Sequence, residues 1–184
     1  MTESGRSRKP AAVRRAEIME AADAEFALKG LSGAGIEAIA ARVGISHPRI
    51  VQMFGSKREL FLQVVDAAYD RIEAAFESAE TSLGALGDAY RDLLRSRPTV
   101  GLVLLQAYAA AGDETVQEAV RRRQLDLQQT IIRLSGADAM EVRSFVATGL
   151  VLTVSTVLDL PGRRADTEWC AWILGLTDTP ADGP

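Results

Sequence analysis

The chain has 184 residues, of which 47% are hydrophobic, and it carries a formal net charge of −4 at pH 7. This length can bury one or two hydrophobic cores. A single histidine and a single cysteine exclude an intrachain disulfide, a metal site built on a histidine cluster and a histidine-based catalytic triad, so we predict no enzyme, no metal ligand and no cofactor.

Charge is divided unevenly along the chain. Residues 1–64 contain ten Lys and Arg against seven Asp and Glu, a net of +3, whereas residues 65–184 contain eleven against eighteen, a net of −7. A local basic face is what phosphate binding requires, so the amino-terminal part suits a double-stranded DNA partner. The basic side chains expected to supply that face are Arg6, Arg8, Lys9, Arg14, Arg15, Arg49, Lys57 and Arg58. We expect residues 1–13 to form a basic, disordered tail.

Residues 36–60 have the spacing of a helix-turn-helix. Ala40 is a small residue that lets a second helix cross the first closely, and Gly44 can adopt the left-handed conformation that redirects the chain. Ser46 is expected to cap the second helix, and Pro48 suits its first turn because that position needs no backbone N–H. The sequence therefore predicts a helix mounted for the DNA major groove, with His47, Arg49 and Gln52 facing away from the core.

Residues 14–64 resemble the DNA-binding domain of TetR-type transcriptional regulators. The most diagnostic segment is Phe54-Gly55-Ser56-Lys57, in which the lysine of the family opens the fourth helix beside a DNA phosphate. Ser56 and Glu59 have the spacing of a capping box for that helix. Two positions depart from the family pattern: Ala34-Gly35 stands where a Thr or Ser usually begins the second helix, and Val51 stands where a Tyr is usual. Both departures remove side-chain contacts to phosphate, so backbone N–H groups at Gly35 would serve instead.

The DNA-binding residues expected from this pattern are Gly35, Glu37, Ser46, His47, Pro48, Arg49, Gln52 and Lys57. Arg49 is expected to read a base, because an arginine can donate two hydrogen bonds to guanine, and a phosphate contact is its alternative role. His47 is expected to contact DNA rather than to be inert surface. Glu37 would be repelled by phosphate unless it accepts a hydrogen bond from cytosine or pairs with a nearby arginine, and the arginine pair is the favoured interpretation.

Six further helices are expected after the helix-turn-helix, about nine in all, in an all-α fold with few strand signals. We expect the DNA-binding domain to span residues 14–56, a ligand-binding and dimerisation domain residues 57–176, and a disordered tail residues 177–184. The fourth helix is predicted to end near Glu80, the fifth to span residues 86–97, and the sixth to begin at Pro98. The seventh is predicted to run from its cap Asp113 to Gly136, the eighth over residues 138–158, and the ninth over residues 167–176. The sixth is apolar on all sides and is expected to be buried centrally.

A regulator also needs a group that senses a signal. The TetR resemblance implies a cavity among the carboxy-terminal helices, with candidate ligand-binding residues Phe76, Tyr90, Gln106, Tyr108 and Phe145. Each of these is equally consistent with an ordinary core position. Because the sixth helix has no charge, we expect an uncharged or weakly polar small molecule, whose identity the sequence does not give.

The eighth helix predicts a dimer. It offers only Thr and Ser as polar residues, so a second copy of the chain is the simplest cover for its outer face, and the TetR resemblance implies the same arrangement. The expected interface residues are Gly149, Leu152, Val154, Trp169 and Trp172; the alternative is a monomer with this helix at the centre of its core. The uncharged run over residues 144–158 is 15 residues long, which is short of the roughly 20 needed to span a membrane.

Together these features predict a homodimeric transcriptional repressor that a small molecule releases from a pseudo-palindromic operator. The alternative is a constitutive DNA-binding adaptor or an activator without a ligand switch. No basic-then-apolar leader opens the chain, so we expect a cytoplasmic protein without a membrane partner.

Overall fold

A computed structural model describes residues 10–160 of the chain, and within that range all regular structure is α-helical. The eight helices are α1 (Ala11–Gly33), α2 (Ile36–Val43), α3 (His47–Phe54), α4 (Lys57–Glu77), α5 (Leu83–Ser96), α6 (Pro98–Ala109), α7 (Glu114–Ser135) and α8 (Ala139–Val157). The predicted all-α fold is confirmed. The predicted ninth helix over residues 167–176, with Trp169 and Trp172, lies outside the described residues, as do Arg6, Arg8, Lys9 and the tail at residues 177–184.

The turn between α2 and α3 is the one that the sequence predicts. Gly44 has φ of 68°, and its N–H donates to the carbonyl oxygens of Ala40 and Ala41. Only glycine adopts this left-handed conformation without strain, so the chain reverses here within a few residues. Ala40 is buried where the two helices cross. Ser46 is the residue before α3, but its side chain accepts no capping hydrogen bond, so the predicted side-chain cap is wrong.

Helix α4 begins with the predicted capping box. The Ser56 hydroxyl accepts from the Glu59 N–H at 3.1 Å, and the Glu59 carboxylate accepts from the Ser56 N–H at 2.6 Å. Phe61, one turn further along α4, packs edge-on against Phe26 of α1 with ring centroids 5.1 Å apart. The core of the helix-turn-helix therefore continues into the rest of the molecule without a break at the expected boundary after Ser56.

Helix α6 lies at the centre of the carboxy-terminal part and packs against α1, α4, α5, α7 and α8. Its buried residues follow one broad side, whereas Tyr108 near its end is 39% exposed. Central placement agrees with the sequence prediction, although complete burial does not.

Helix ends in this part follow identifiable caps. The Ser82 hydroxyl accepts from the Ala85 N–H, so α5 begins three residues before the predicted start at Leu86. The carboxylate of Asp113 caps α7 as predicted. The carboxylate of Asp138 caps α8, a role that was not predicted, although the eighth helix was expected to begin at that residue. Helix α1 begins at Ala11, so the predicted tail over residues 1–13 is too long at its carboxy-terminal end.

Candidate nucleic-acid interface and ligand cavity

Helix α3 presents one polar face to solvent. Ile50 and Phe54 are buried against the core, and this fixes the rotation of the helix. The residues that consequently lie exposed are Ser46, His47, Pro48, Arg49, Val51 and Gln52. A short exposed helix on a helix-turn-helix, with donors and acceptors along its outer side, has the dimensions needed to enter the major groove.

Arg49 is held by its own helix. Its Nη1 donates to Gln52 Oε1 at 2.8 Å, one turn further along α3. One of the five N–H groups of the guanidinium is thereby used, and no other residue in the described range 10–160 binds the remaining ones, which can donate to a base or a phosphate. The two predicted contact residues are thus brought together on one side of α3.

Glu37 pairs with His47 rather than with an arginine. The Glu37 Oε1 atom lies 2.9 Å from His47 Nδ1, and the pair joins α2 to the first residue of α3. The favoured interpretation of Glu37 as an arginine partner is therefore wrong. It failed because sequence spacing does not show that His47 begins α3 directly beside the first turn of α2.

The basic residues of this region bind helix ends. Arg14 donates to the Val43 carbonyl oxygen at the end of α2 at 3.1 Å. Arg15 donates to the Met53 carbonyl oxygen near the end of α3 and stacks over the Phe54 ring. Because the carbonyl groups at a helix carboxy-terminus carry partial negative charge, each cation stabilises the helix that it closes. Neither arginine belongs to a loose basic tail.

Lys57 closes α1 in the same manner. Its Nζ donates to the carbonyl oxygens of Ser32 and Ala34 at 3.3 and 3.1 Å. Two of its three N–H donors are thereby engaged, which leaves one for a phosphate. Arg58, the next basic residue, pairs with Asp113 at 3.0 Å and links α4 to the start of α7.

Sequence reasoning missed Glu25, a buried carboxylate beside the start of α2. Its Oε1 accepts from Lys29 Nζ at 2.8 Å and from the Gly35 N–H at 3.4 Å. The hydrogen bond from Lys29 is the main reason that the pKa of Glu25 lies below its usual value. The Gly35 N–H, which was expected to face phosphate, thus faces an anion of the protein itself. A carboxylate four residues before Lys29 on an otherwise apolar side of α1 was the available signal.

A cavity of about 450 Å³ lies between α4, α5, α6, α7 and α8. Its lining includes Phe76, Tyr90, Tyr108 and Phe145, four of the five residues predicted for a ligand site. Most of the other lining residues are apolar, among them Ile72, Leu104, Leu127, Ile131, Val146 and Leu150. This volume and composition are those of sites for small molecules.

Gln106 does not line this cavity. Its Nε2 donates to the Ala27 carbonyl oxygen of α1 at 3.5 Å, and its side chain rests against Gly30, where α1 is kinked with φ of 66°. A β-carbon at Gly30 would collide with the Gln106 side chain. The prediction for Gln106 is wrong because the apolar sequence of α6 does not show which of its sides meets α1.

Three tyrosine hydroxyls at the cavity have hydrogen-bond partners within the chain. Tyr69 and Tyr108 donate to Gln124 Oε1 at 3.2 and 3.4 Å, and the Tyr90 hydroxyl lies 2.7 Å from Thr153 Oγ1. Burial raises the pKa of Tyr90 to about 12 and raises the pKa of Tyr69 and Tyr108 as well. These phenols are therefore neutral at physiological pH and act as hydrogen-bond donors and acceptors.

The predicted dimer residues on α8 point in different directions. Gly149 lines the cavity, and a β-carbon there would lie 3.8 Å from Tyr90 of the same chain. Leu152 packs against the core and Val154 is half-buried, whereas Leu150 is 49% exposed. The outer face of α8 thus reaches Leu150, which also borders the cavity, whereas Gly149 packs near Tyr90. Periodicity did not separate these faces because both are apolar.

Helix α8 is also the one helix among the described residues that is long and apolar enough to cross a membrane, by length and composition only. Its apolar window has a mean hydropathy of 1.3, and 17% of it is buried within the single chain. This helix is longer than the uncharged run over residues 144–158 because it begins before Glu141 and Arg143. An outer face of this kind needs a cover, whether protein or lipid.

Comparison with known proteins places these features in context. Residues 18–64 match the model of the family described as bacterial regulatory proteins, tetR family. The HTH-type transcriptional activator FasR of Mycolicibacterium smegmatis is 30% identical over 159 residues, which cover 79% of this chain and 70% of that protein.

Solved structures share the fold. A TetR-like transcriptional regulator from Rhodococcus sp. RHA1 superposes with a TM-score of 0.67 at 18% identity, over 92% of this chain and 96% of that chain. The transcriptional regulator FadR from Bacillus subtilis, solved in complex with stearoyl-CoA, superposes with a TM-score of 0.66 at 14% identity, over 89% and 97% of the two chains.

Proposed function

The chain belongs to the tetR family of bacterial regulatory proteins and is a DNA-binding transcriptional regulator; from this premise we propose that it is a homodimeric repressor whose operator is released when a small molecule enters the cavity. The observation that carries the proposal is the arrangement of α4. This one helix begins at the DNA-binding unit with Lys57 and lines the cavity with Ile72 and Phe76.

On DNA, α3 enters the major groove. Arg49 reads guanine through its free N–H groups, and Gln52 holds it in position. Lys57 contributes its third N–H to a phosphate. The exposure of the outer side of α3, and the rotation that Ile50 and Phe54 impose on it, support this orientation.

The dimer forms through the outer faces of α7 and α8. Leu150 of α8 and Leu125 and Ile132 of α7 are each about half exposed in the single chain. Pairing these faces across a two-fold axis makes a four-helix interface and explains an apolar α8 without a membrane. The two copies of α3 then read half-sites about one helical turn apart, roughly 34 to 36 Å. Regulators of this family are soluble and cytoplasmic in general, and we propose the same location here.

The part of the effector that enters the cavity is apolar, with at most a weakly polar group. The neutral tyrosines and the apolar walls support this choice, because an anion or cation inside the cavity would lose its hydration without a buried partner. Among the lining residues Arg143 is the charged one, and it is exposed. Stearoyl-CoA is the first compound to test, because FadR of Bacillus subtilis was solved with it. Its acyl chain suits such walls, whereas its charged coenzyme A group would stay outside the cavity, in solvent.

Ligand binding acts by favouring one orientation of α4. A shift of α4 at Phe76 moves its other end, where Lys57 holds the segment between α1 and α2. The separation of the two copies of α3 then changes, with a coupling of about 1 to 3 kcal/mol.

A second candidate, a transcriptional activator, is favoured by the relative FasR of Mycolicibacterium smegmatis, which is an HTH-type transcriptional activator. The two candidates differ in a reconstituted transcription reaction on the promoter DNA upstream of the gene for this protein. A repressor lowers transcript yield and loses DNA affinity when stearoyl-CoA or another thermal-shift hit is added; an activator raises the yield. If no compound changes DNA affinity, the constitutive adaptor is correct and the ligand switch is not.

A further inference from the structure

A polar cluster lies in the wall of the cavity where side chains of α4, α6 and α7 meet. Gln124 of α7 lines the cavity, and its Oε1 atom lies 3.2 Å from the Tyr69 hydroxyl and 3.4 Å from the Tyr108 hydroxyl. An amide oxygen only accepts hydrogen bonds, so both phenols donate to it. The amide of Gln124 is therefore held in one orientation by a helix on either side.

The other hydroxyl groups of the lining have also used their protons. Thr153 donates to the Gly149 carbonyl oxygen at 2.8 Å, and a hydroxyl has one proton to donate. The Tyr90 hydroxyl, 2.7 Å from Thr153 Oγ1, is consequently the donor in that pair. Over the residues that the structure describes, each hydroxyl proton of the cavity lining is thus engaged within the chain.

The amino group of Gln124 is the donor that remains. Its Nε2 atom carries two N–H groups, and no group between residues 10 and 160 accepts a hydrogen bond from it. Gln124 is half-buried, and Nε2 is not sealed from small molecules. A ligand in the cavity can therefore reach this amino group without breaking a hydrogen bond of the protein.

The charges of this region do not favour an anion at the amino group. Arg123, the neighbour of Gln124 on α7, pairs with three carboxylates of α4. Arg143, the charged residue of the lining, is exposed. A carboxylate inside the apolar cavity would lose its hydration without a buried cation, whereas a carbonyl oxygen needs only an N–H donor.

We propose that the Gln124 amino group determines the specificity of the cavity by donating to the uncharged carbonyl oxygen of an apolar ketone, ester or thioester. Tyr69 and Tyr108 are positioning residues, because they hold the amide oxygen and thereby direct Nε2 to the ligand. The inference rests on the proposed entry of a small molecule into the cavity, and it adds the functional group by which that molecule is selected.

The test compares two probes of nearly the same shape. Butyl phenyl ketone has a carbonyl group where pentylbenzene has a methylene group, so the two compounds differ by one acceptor. Calorimetric titration of the full chain gives the affinity of each probe. In Gln124→Glu, at about pH 8 where a carboxylate is ionised, the side chain still accepts from both phenols but has no N–H to donate. The ratio of ketone affinity to hydrocarbon affinity should fall about three- to tenfold in this variant, the worth of one hydrogen bond.

Two further variants separate the amide from its surroundings. Gln117→Glu makes the same change at an exposed position of α7 that does not line the cavity, so it should keep the wild-type ratio. Tyr108→Phe leaves the amino group in place and Tyr69 still holds the amide, so the ratio should fall less than in Gln124→Glu. A loss in Tyr108→Phe as large as that in Gln124→Glu would show that a phenol, not the amide, donates to the ketone.

A measurement on the wild-type chain does not depend on the folding of any variant. In an NMR titration, butyl phenyl ketone should move the side-chain amide proton resonances of Gln124 downfield, because these protons become hydrogen-bonded. Pentylbenzene fills the same space without an acceptor and should not produce that shift.

The outcomes distinguish the contact from the cavity on which it rests. If both probes bind, with one affinity ratio for wild type and Gln124→Glu and no response of the Gln124 amide protons, the cavity accepts small molecules and the assigned contact is wrong. If neither probe binds wild type, the cavity is not a site for apolar molecules, and the proposed ligand switch fails together with the contact.

Discussion

Lys57 Nζ lies 3.1 Å from the carbonyl oxygen of Ala34, so the first residue of α4 is hydrogen-bonded to the segment that joins α1 to α2. The same lysine reaches the Ser32 carbonyl oxygen. Further along, α4 carries Ile72 and Phe76 against the cavity. Lys57 therefore has two roles. It stabilises the contact between α4 and the end of α1, and it is the part of α4 nearest to DNA in the proposed complex. Its removal should consequently change both stability and DNA affinity.

Lys57→Ala should weaken binding to all DNA sequences alike. The loss of one phosphate contact reduces the slope of log affinity against log salt by about 0.9. Loss of the two carbonyl contacts should also lower the free energy of unfolding by about 1 kcal/mol. Fluorescence anisotropy over a salt series, with operator and random duplexes, measures the first effect, and denaturant unfolding measures the second.

Arg49→Ala should produce the opposite pattern. Arg49 is exposed and its hydrogen bond to Gln52 lies within α3, so stability should change little. The free energy of operator binding should become less favourable by about 1 to 3 kcal/mol, and the preference for one base should weaken at a single position. If Arg49→Ala and Lys57→Ala weaken operator and random DNA equally, the assigned roles are wrong.

The lowered pKa of Glu25 predicts that the stability of the fold decreases at acid pH. Because the pKa of Glu25 is lowered from 4.5, its contribution is fully present above that value and is lost as the pH falls through the lower, folded-state pKa. Glu25→Gln should lower the free energy of unfolding by about 1 kcal/mol at neutral pH. The difference from wild type should shrink at the acid end of a pH series.

A matched control for this change is Glu118→Gln, whose carboxylate is exposed and pairs only with Arg121 one turn away among the described contacts. Exposed pairs of this kind contribute little. Equal pH profiles of the two variants would show that the contacts of Glu25 with Lys29 and Gly35 do not stabilise the fold.

The parts of the fold that followed from the sequence are those set by local chemistry. Gly44 specifies the turn, Ser56 with Glu59 specifies the start of α4, and Asp113 specifies the start of α7. Each signal lies within a few residues of its effect, so it can be interpreted without knowledge of the rest of the fold.

The parts of the fold that could not be predicted from the sequence are the orientations of apolar helices about their own axes. Helices α6 and α8 are apolar on most sides, so the sequence does not distinguish the side that meets the cavity from the side that meets α1 or solvent. Gln106 was assigned to the cavity for that reason, although it meets α1, and Gly149, which was expected at a dimer interface, also lines the cavity. The pairing of Glu37 with His47 depends on the distance between two helices and is likewise absent from sequence spacing.

The dimer is tested by a charge on the outer face of α7. Leu125 is about half exposed and, unlike Leu150, does not line the cavity. Leu125→Glu places a carboxylate where the second copy is expected to pack, and burial of an unpaired charge at such a site disfavours association by several kcal/mol. Sedimentation should therefore show a dimer for wild type and a monomer for the variant at micromolar concentration.

The control makes the same substitution on another exposed leucine. Leu28 of α1 is 70% exposed and lies away from the proposed interface, so Leu28→Glu should remain a dimer. A wild-type monomer at micromolar concentration would contradict the symmetric arrangement, and the alternative of a monomer would then hold.

The ligand switch is tested by filling the cavity without a ligand. Leu104 is 4% exposed and lines the cavity, so Leu104→Phe extends into the empty space and should favour the conformation that the effector favours. Operator affinity should change by at least about threefold in the direction that a bound compound causes, and stability should change little. Ala107 is fully buried on α6 but does not line the cavity, so Ala107→Phe should instead overpack the core and cost about 1 to 3 kcal/mol of stability. If Leu104→Phe and every stabilising compound leave operator affinity within about twofold, less than ~0.5 kcal/mol of coupling, the cavity does not control DNA binding, and the protein binds its operator constitutively.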